Sequence, residues 1–343
     1  MKTLDFNLKY PFISKQPAPS KLKLIEEQQK EWIEYYLWMP EKMKVAYKTS
    51  KIVTLAGIIY PGAGEKGMLA IARWLLLGFA FDDYYDDKPE DVFSKIRKKT
   101  IDSLNGLPVA PDPKSPDDEV FVNEFANVRD MFKEVASDFW VKRFVKHQEI
   151  WIQGMEEEAA YYEKHHQEWI KSLKEETTSY DKKPVIYPTY ENYLSIRFKI
   201  SGCTILSDFV EIAAGFKMPE EIYKSDYIQK LRHHITYSIM WSNDIYGAAR
   251  ELEKNEVMNL VLVLKSENEK ENKYEGESES YKLDKAYEEA AKMHNDGIDD
   301  FVRLTENVPD FGEYQEDVLR YIEHAKLLLQ GQKEWHENSD RYQ

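Results

Sequence analysis

Apolar positions recur three and four residues apart along most of this chain. In "KLKLIEEQQKEWIEYYLWM", from residue 21, they fall on one helical face. The same spacing runs through 119–169, which reads as one or two long helices, and through 189–215, where Ser201-Gly202 marks a weak point. It continues in "IQKLRHHITYSIMWSNDIYGAARELEKN" and "VMNLVLVLKSE" and closes in two helical segments, 286–306 and 311–336. Between these lie a turn at 60–67, a proline-rich loop at 105–118 and another loop at 176–188. The polar, charge-rich stretch 266–285 is expected to be a mobile loop. No internal repeat or strand ladder appears. The pattern predicts an all-α fold, with 1–20 an extended N-terminal segment carrying Pro11, Pro17 and Pro19, and 21–343 a single helical domain.

Composition narrows the partners. Hydrophobic residues make up 42% of the 343, enough for a sizeable core, and the net charge is -15. Such a chain is repelled by nucleic acid and by anionic membrane surfaces. To bind a small polyanion it needs metal cations or a local group of arginines. The longest apolar run, "MLAIARWLLLGFAF" at 68–81, contains Arg73 and is too short to span a bilayer, so no stable membrane insertion is expected. Cys203 is the one cysteine, which excludes an intrachain disulfide. With no apolar leader in the first 20 residues, a cytoplasmic protein is expected.

Candidate chemistry begins where that apolar run ends, in "FAFDDYYDDKPED". On a helix Asp82 and Asp86 lie one turn apart and roughly 40° from each other around the axis. Paired carboxylates suit a hard cation such as Mg2+, though a solvated acidic helix end has the same composition. A second stretch, "WSNDIYGAARELE" at 241–253, spaces Asn243, Gly247 and Glu251 four and four on one face. Arg250 stands beside Glu251, within reach of an anion held by a cation there. The pairs His165-His166 and His233-His234 lack the ligand partners of a zinc site.

Together the two stretches resemble the metal motifs of class I terpene cyclases. Asp82, Asp83 and Asp86 match the aspartate-rich DDxxD, and Asn243 and Glu251 match the later Asn/Ser/Glu motif. Gly247 stands where that family has a serine or threonine. The diphosphate-sensing arginine of microbial members, 46 positions before the asparagine, falls on Arg197. The helix break that follows it falls on Ser201 and Gly202, although Ile200 lacks the usual polar side chain of the linker. The C-terminal Arg-Tyr pair, preceded by a tryptophan, falls on Trp335, Arg341 and Tyr342.

The resemblance implies a bundle around a deep apolar pocket and three Mg2+ ions. Asp82 would bind two of them, with Asp86 assisting. Asn243 and Glu251 would hold the third, with water in place of the hydroxyl missing at Gly247. Arg197, Arg250, Arg341 and Tyr342 would donate to the diphosphate, and Asp83 would pair with an arginine on closure. A carbonyl at the break would help trigger ionisation. Phe79 and Trp335, ahead of Tyr60, Phe81, Phe209 and Trp241, would stabilise carbocations. The implied activity is cyclisation of a linear prenyl diphosphate, geranylgeranyl diphosphate before farnesyl diphosphate, by a compact enzyme of the microbial or octocoral type, commonly a homodimer. A trans-prenyltransferase and a non-catalytic helical binding protein are the alternatives.

Overall fold

The computed structural model describes residues 6–49, 52, 54–85, 88–174 and 185–339. Among these residues there are fourteen α-helices, one short 3-10 turn and no strand. In chain order they are α1 (Pro19–Ile33), α2 (Glu41–Thr49), α3 (Leu55–Ile59), α4 (Glu65–Tyr85), α5 (Glu90–Leu104), α6 (Pro116–Lys133) and α7 (Asp138–Lys174). There follow α8 (Tyr190–Ile200), α9 (Cys203–Ala214), α10 (Glu220–Tyr223), α11 (Asp226–Lys254), α12 (Leu260–Lys270), α13 (Glu279–Glu306) and α14 (Gln315–Asn338). The fold is all-α, and none of the described helices is long and apolar enough to cross a membrane.

Two helices organise the rest. α4 is apolar nearly all round, which suits a helix enclosed by neighbours. It packs against α1, α3, α6 and α9. α11 is amphipathic: Ile228, Leu231, Ile235 and Ile239 are buried at three- and four-residue spacing. It starts at Ser225, whose hydroxyl accepts from the Ile228 N–H, and stops at Asn255, which adopts a left-handed φ of 60°. α9, α12, α13 and α14 pack around it.

The weak point predicted at 201–202 is a true break. α8 ends at Ile200 and α9 starts at Cys203. Gly202 sits at φ +65°, a conformation costing a side-chain-bearing residue about 1–2 kcal/mol. α7 presses on the break through Gly154, where an added Cβ would lie 2.5 Å from Lys199 Cβ and 2.9 Å from the Ile200 nitrogen.

The charge-rich stretch 266–285 is not the loop its composition suggests. α12 continues to Lys270 and α13 starts at Glu279, so only 271–278 turn. The charges pair in helical register: Lys265 Nζ lies 2.7 Å from both Glu269 and Glu279 carboxylates, and Ser278 caps α13 by accepting from the Tyr281 N–H. High charge density was compatible with a helix because opposite signs fall three and four apart.

Residues 6–18 run without regular structure, much of that course along α11 and α13. Phe6 stacks on Tyr287 and meets Tyr246 edge-on. The Tyr10 hydroxyl lies 3.0 Å from His294 Nε2. His294 is fully buried, and burial pushes it down to about 4. His336, 1% exposed, is pushed down by burial, with His294 nearby, to about 3. A free imidazole takes its proton near 6.5, so below that pH the unfolded chain binds protons that the folded chain refuses. Stability should therefore fall as pH drops from 6.5 toward 4, by about 2 kcal/mol per buried histidine at pH 5. Urea denaturation at pH 7 and pH 5 checks this. The His294→Gln, His336→Gln double variant should show a visibly flatter pH dependence, and an unchanged slope would be contrary to it.

Candidate active site

Helix geometry brings the two motifs to one cavity. On α4, Trp74, Gly78 and Asp82 form one row at four-residue spacing, and Leu75, Phe79 and Asp83 form the next. All six line a cavity of about 850 Å3, within the range of small-molecule sites. Across it, α11 presents Ile239, Asn243 and Glu251 along its own four-residue row, with Arg250 beside them. α14 contributes Gln332 and Trp335.

The cavity is graded in polarity. Its inner end is made by Leu55, Leu75, Trp74 and Trp151, each 5% exposed or less. The Trp74 indole N–H donates to Gln148 Oε1 at 3.1 Å and that of Trp151 to the Ile200 carbonyl at 3.0 Å. Both rings thus spend their one donor on the protein, and the second fastens the inner wall to the helix break. Ser201, Gly202 and Cys203 line the cavity at that break, and burial pushes the Cys203 thiol up to about 11, so it stays uncharged. At the mouth, Lys88, Glu158, Glu163, Lys254 and Glu256 replace the apolar walls.

The polar wall is held by a carboxylate that never reaches the cavity. Asp244 is fully buried. It accepts from Tyr193 Oη at 2.5 Å, from Arg197 Nε at 2.8 Å and from the Leu260 N–H at 2.8 Å. Arg197 Nη2 also donates to Asn243 Oδ1 at 2.8 Å. Asn259 donates to Glu251 Oε2 at 2.7 Å and to the Asp244 carbonyl at 2.8 Å, while its Oδ1 caps α12. Burial raises the Glu251 carboxyl, Asp244 adds to the rise, and Arg197 opposes it. Arg250 Nη2 stands 3.3 Å from Glu251 Oε1.

Of the residues singled out from sequence, Asp82, Asp83, Asn243, Glu251, Arg197, Arg250, Ser201, Gly202, Phe79 and Trp335 all line this cavity. The Phe79 and Trp335 rings lie 6.3 Å apart. Asp83 accepts from the Tyr47 phenol of α2. Gly247 is buried on α11 behind Glu251, where a Cβ would fall 2.4 Å from Glu251 Oε1. The missing side chain is what lets that carboxylate fold back along the helix. Asp86, Arg341 and Tyr342 lie outside the described residues. Tyr60, Phe81, Phe209 and Trp241 are not among the lining residues. Phe81 faces Phe121 and Phe125 of α6, and Phe209 stacks on Phe132, so both serve the core. Sequence reasoning missed Trp74, which was legible four and eight residues before Gly78 and Asp82. It also missed Trp151, Tyr193, Asp244 and Asn259, whose roles depend on contacts between distant helices.

Comparisons with known proteins bear on the family and the fold. Residues 73–300 match the family described as terpene synthase family 2, C-terminal metal binding. A germacrene A synthase of Nostoc punctiforme is 24% identical over 95% of this chain and 93% of its own length. A 10-epi-cubebol synthase of Sorangium cellulosum is 24% identical over 97% and 96%. The linalool/nerolidol synthase of Streptomyces clavuligerus, solved with 2-fluorogeranyl diphosphate, has the same fold, with a TM-score of 0.73 at 18% identity over 97% of this chain and 99% of that one. The chain belongs to terpene synthase family 2, matching its C-terminal metal-binding model. It is a class I terpene synthase of the microbial type, a lyase acting on a prenyl diphosphate.

The close approach at Gly154 is directly testable. Gly154→Ala places a methyl against Lys199 and the Ile200 backbone, and should cost about 1–3 kcal/mol of stability while lowering turnover by displacing the break. Thermal melts and steady-state rates would check it. Wild-type values for both would show that α7 does not hold the break.

Proposed function

We propose that this chain ionises farnesyl diphosphate and cyclises the resulting cation to a sesquiterpene, releasing diphosphate. The observation that carries the reading is the meeting of Asp82 with Asn243 and Glu251 at one cavity whose inner end is lined by Trp74, Trp151 and leucines. Mg2+ fits these donors, which are hard carboxylate and amide oxygens lining one cavity. When bound, the ions supply Lewis-acid stabilisation of charge developing on the leaving diphosphate. Asp82, with Asp86, is the proposed holder of one group of ions, and Asn243 with Glu251 of another, to a total of three.

The chain's own residues do the rest. Arg197 and Arg250 offer guanidinium donors to the diphosphate. Arg197 is pre-aimed by its bonds to Asp244 and Asn243. Trp74, Phe79, Trp151 and Trp335 exclude water from the prenyl chain and present ring faces to positive charge, an attraction of ~0.5–2 kcal/mol each. The diphosphate end belongs at the polar mouth and the hydrocarbon at the inner end, since reversing them would bury a trianion among indoles.

Farnesyl diphosphate replaces geranylgeranyl diphosphate as the favoured substrate. Support comes from the relatives' names: besides the two bacterial enzymes, a protein named sesquiterpene synthase 1 from Postia placenta is 27% identical over 46% of this chain.

Purified protein supplied separately with geranyl, farnesyl and geranylgeranyl diphosphates, with Mg2+ or EDTA, should yield a Mg2+-dependent C15 product from the second. Gas chromatography with mass spectrometry reads it. Asn243→Ala and Asp82→Ala should each cut turnover by about 10²-fold or more. Dominant turnover of geranylgeranyl diphosphate would restore the longer substrate. Chain elongation seen only with added isopentenyl diphosphate would make the protein a prenyltransferase instead.

A further inference from the structure

The wall that α14 gives the cavity is held from behind by the N-terminal segment. Gln332 and Trp335 line the cavity, and His336 touches both. Its Nε2 accepts from Gln332 Nε2 at 3.2 Å, and its ring lies 5.5 Å from the Trp335 indole. Tyr246 of α11 stacks on the His336 ring at 4.9 Å and 20°. Phe6 then meets Tyr246 edge-on at 5.4 Å and stacks on Tyr287 of α13 at 5.2 Å. Ring contacts thus run without a gap from the start of the described chain to Trp335, and on to Phe79 across the cavity wall at 6.3 Å. Phe6 itself does not line the cavity.

The placement of Phe6 is built into the backbone that follows it. Asn7 adopts φ 51°, a left-handed turn that asparagine tolerates better than most residues. Asn295 of α13 clamps the main chain on both sides of that turn. Its amide donates to the Asn7 carbonyl at 3.0 Å, and its Oδ1 accepts from the Lys9 N–H at 2.7 Å. One turn further along α13, Asp299 pairs with Lys9 Nζ at 2.6 Å. The chain is fixed just after Phe6, which sets the entry of the ring between Tyr246 and Tyr287. Phe12 of the same segment packs on Phe301 instead, and among the described residues no ring pair leads from there to the cavity.

Trp335 needs such support. It lies in the last turn of α14, where the carbonyls have no helical partners, so its direction depends on what packs behind it. Direction matters because an aromatic ring attracts positive charge through its face and repels it at its edge. We propose that Phe6 is a positioning residue for the reaction: it holds the Tyr246–His336 stack, and through it the ring face that Trp335 presents to a cation in the cavity. The inference rests on the cyclisation reading but not on the choice of farnesyl diphosphate.

Phe6 is half-buried at the edge of the molecule, so Phe6→Ala leaves the core intact. Protein labelled with fluorotryptophan, studied by fluorine NMR, gives a resonance for Trp335 that Trp335→Phe assigns. In Phe6→Ala that resonance should shift, while those of Trp74 and Trp151 stay in place. With the prenyl diphosphate that the wild type turns over, kcat should fall about 10-fold and KM stay within about twofold, because the diphosphate end is assigned to α4, α8 and α11. The acyclic share of the products should rise at least about threefold as cations are quenched early. Phe6→Tyr keeps the ring and should restore all of these. Phe12→Ala removes as much apolar surface from the same segment and should move none of them. An unmoved Trp335 resonance in Phe6→Ala would overturn the proposal. So would wild-type kinetics and products despite a shift, or equal effects in Phe12→Ala. The resonance is read without substrate, so a wild type that yields no cyclic product would count against the cyclisation reading alone.

Discussion

The carboxylate of Asp244 is the contact on which the polar half of the front cavity rests. A charge with no exposure to solvent costs several kcal/mol unless it is paired and hydrogen-bonded. Asp244 meets that demand with a guanidinium from α8, a phenol from α8 and a backbone N–H at the start of α12. Three helices are thereby locked at one point. Arg197 is turned toward Asn243 as a consequence, and Asn259, capping the helix that Asp244 anchors, turns back to orient Glu251. The donors at the cavity are single side chains, yet their directions are set by a network one layer behind them.

A gradient of polarity along α4 complements this network. The helix enters the core as unbroken apolar surface and ends in carboxylates at the mouth. Its two cavity-facing rows run from tryptophan and leucine to aspartate within two turns. One helix thus supplies both an apolar wall and an anionic rim to the cavity. The acidic balance of the chain, which would repel a diphosphate in bulk, becomes useful where cations gather first.

The break between α8 and α9 joins these parts to the back of the molecule. A continuous helix there would present side chains to the cavity but no free backbone carbonyls. Gly202 permits the turn, Gly154 lets α7 approach it, and Trp151 ties its carbonyl to the inner wall. The buried group of Arg143, Asp208, Glu211 and Arg232 lies beyond.

Local properties of the chain determined a good deal. Helical periodicity was enough for an all-α fold, and the Ser201-Gly202 break was visible because glycine is the residue that tolerates positive φ. Spacings of four put Asp82, Asn243 and Glu251 on definable faces, and likeness to a known set of motifs supplied the chemistry and the position of Arg197. What sequence could not settle was decided by contacts between helices far apart in the chain. Aromatic residues beside the motifs, Phe81 and Phe209, turned into the core, while Trp151, 69 positions beyond Asp82, turned into the cavity. The charged run after residue 266 became helix because its ions pair across α12 and α13. Asp244 and Asn259 gained their roles only when α8, α11 and α12 met. Periodicity is a property of one helix and can be read along it, but the direction a side chain finally faces is set by the neighbour that packs against it.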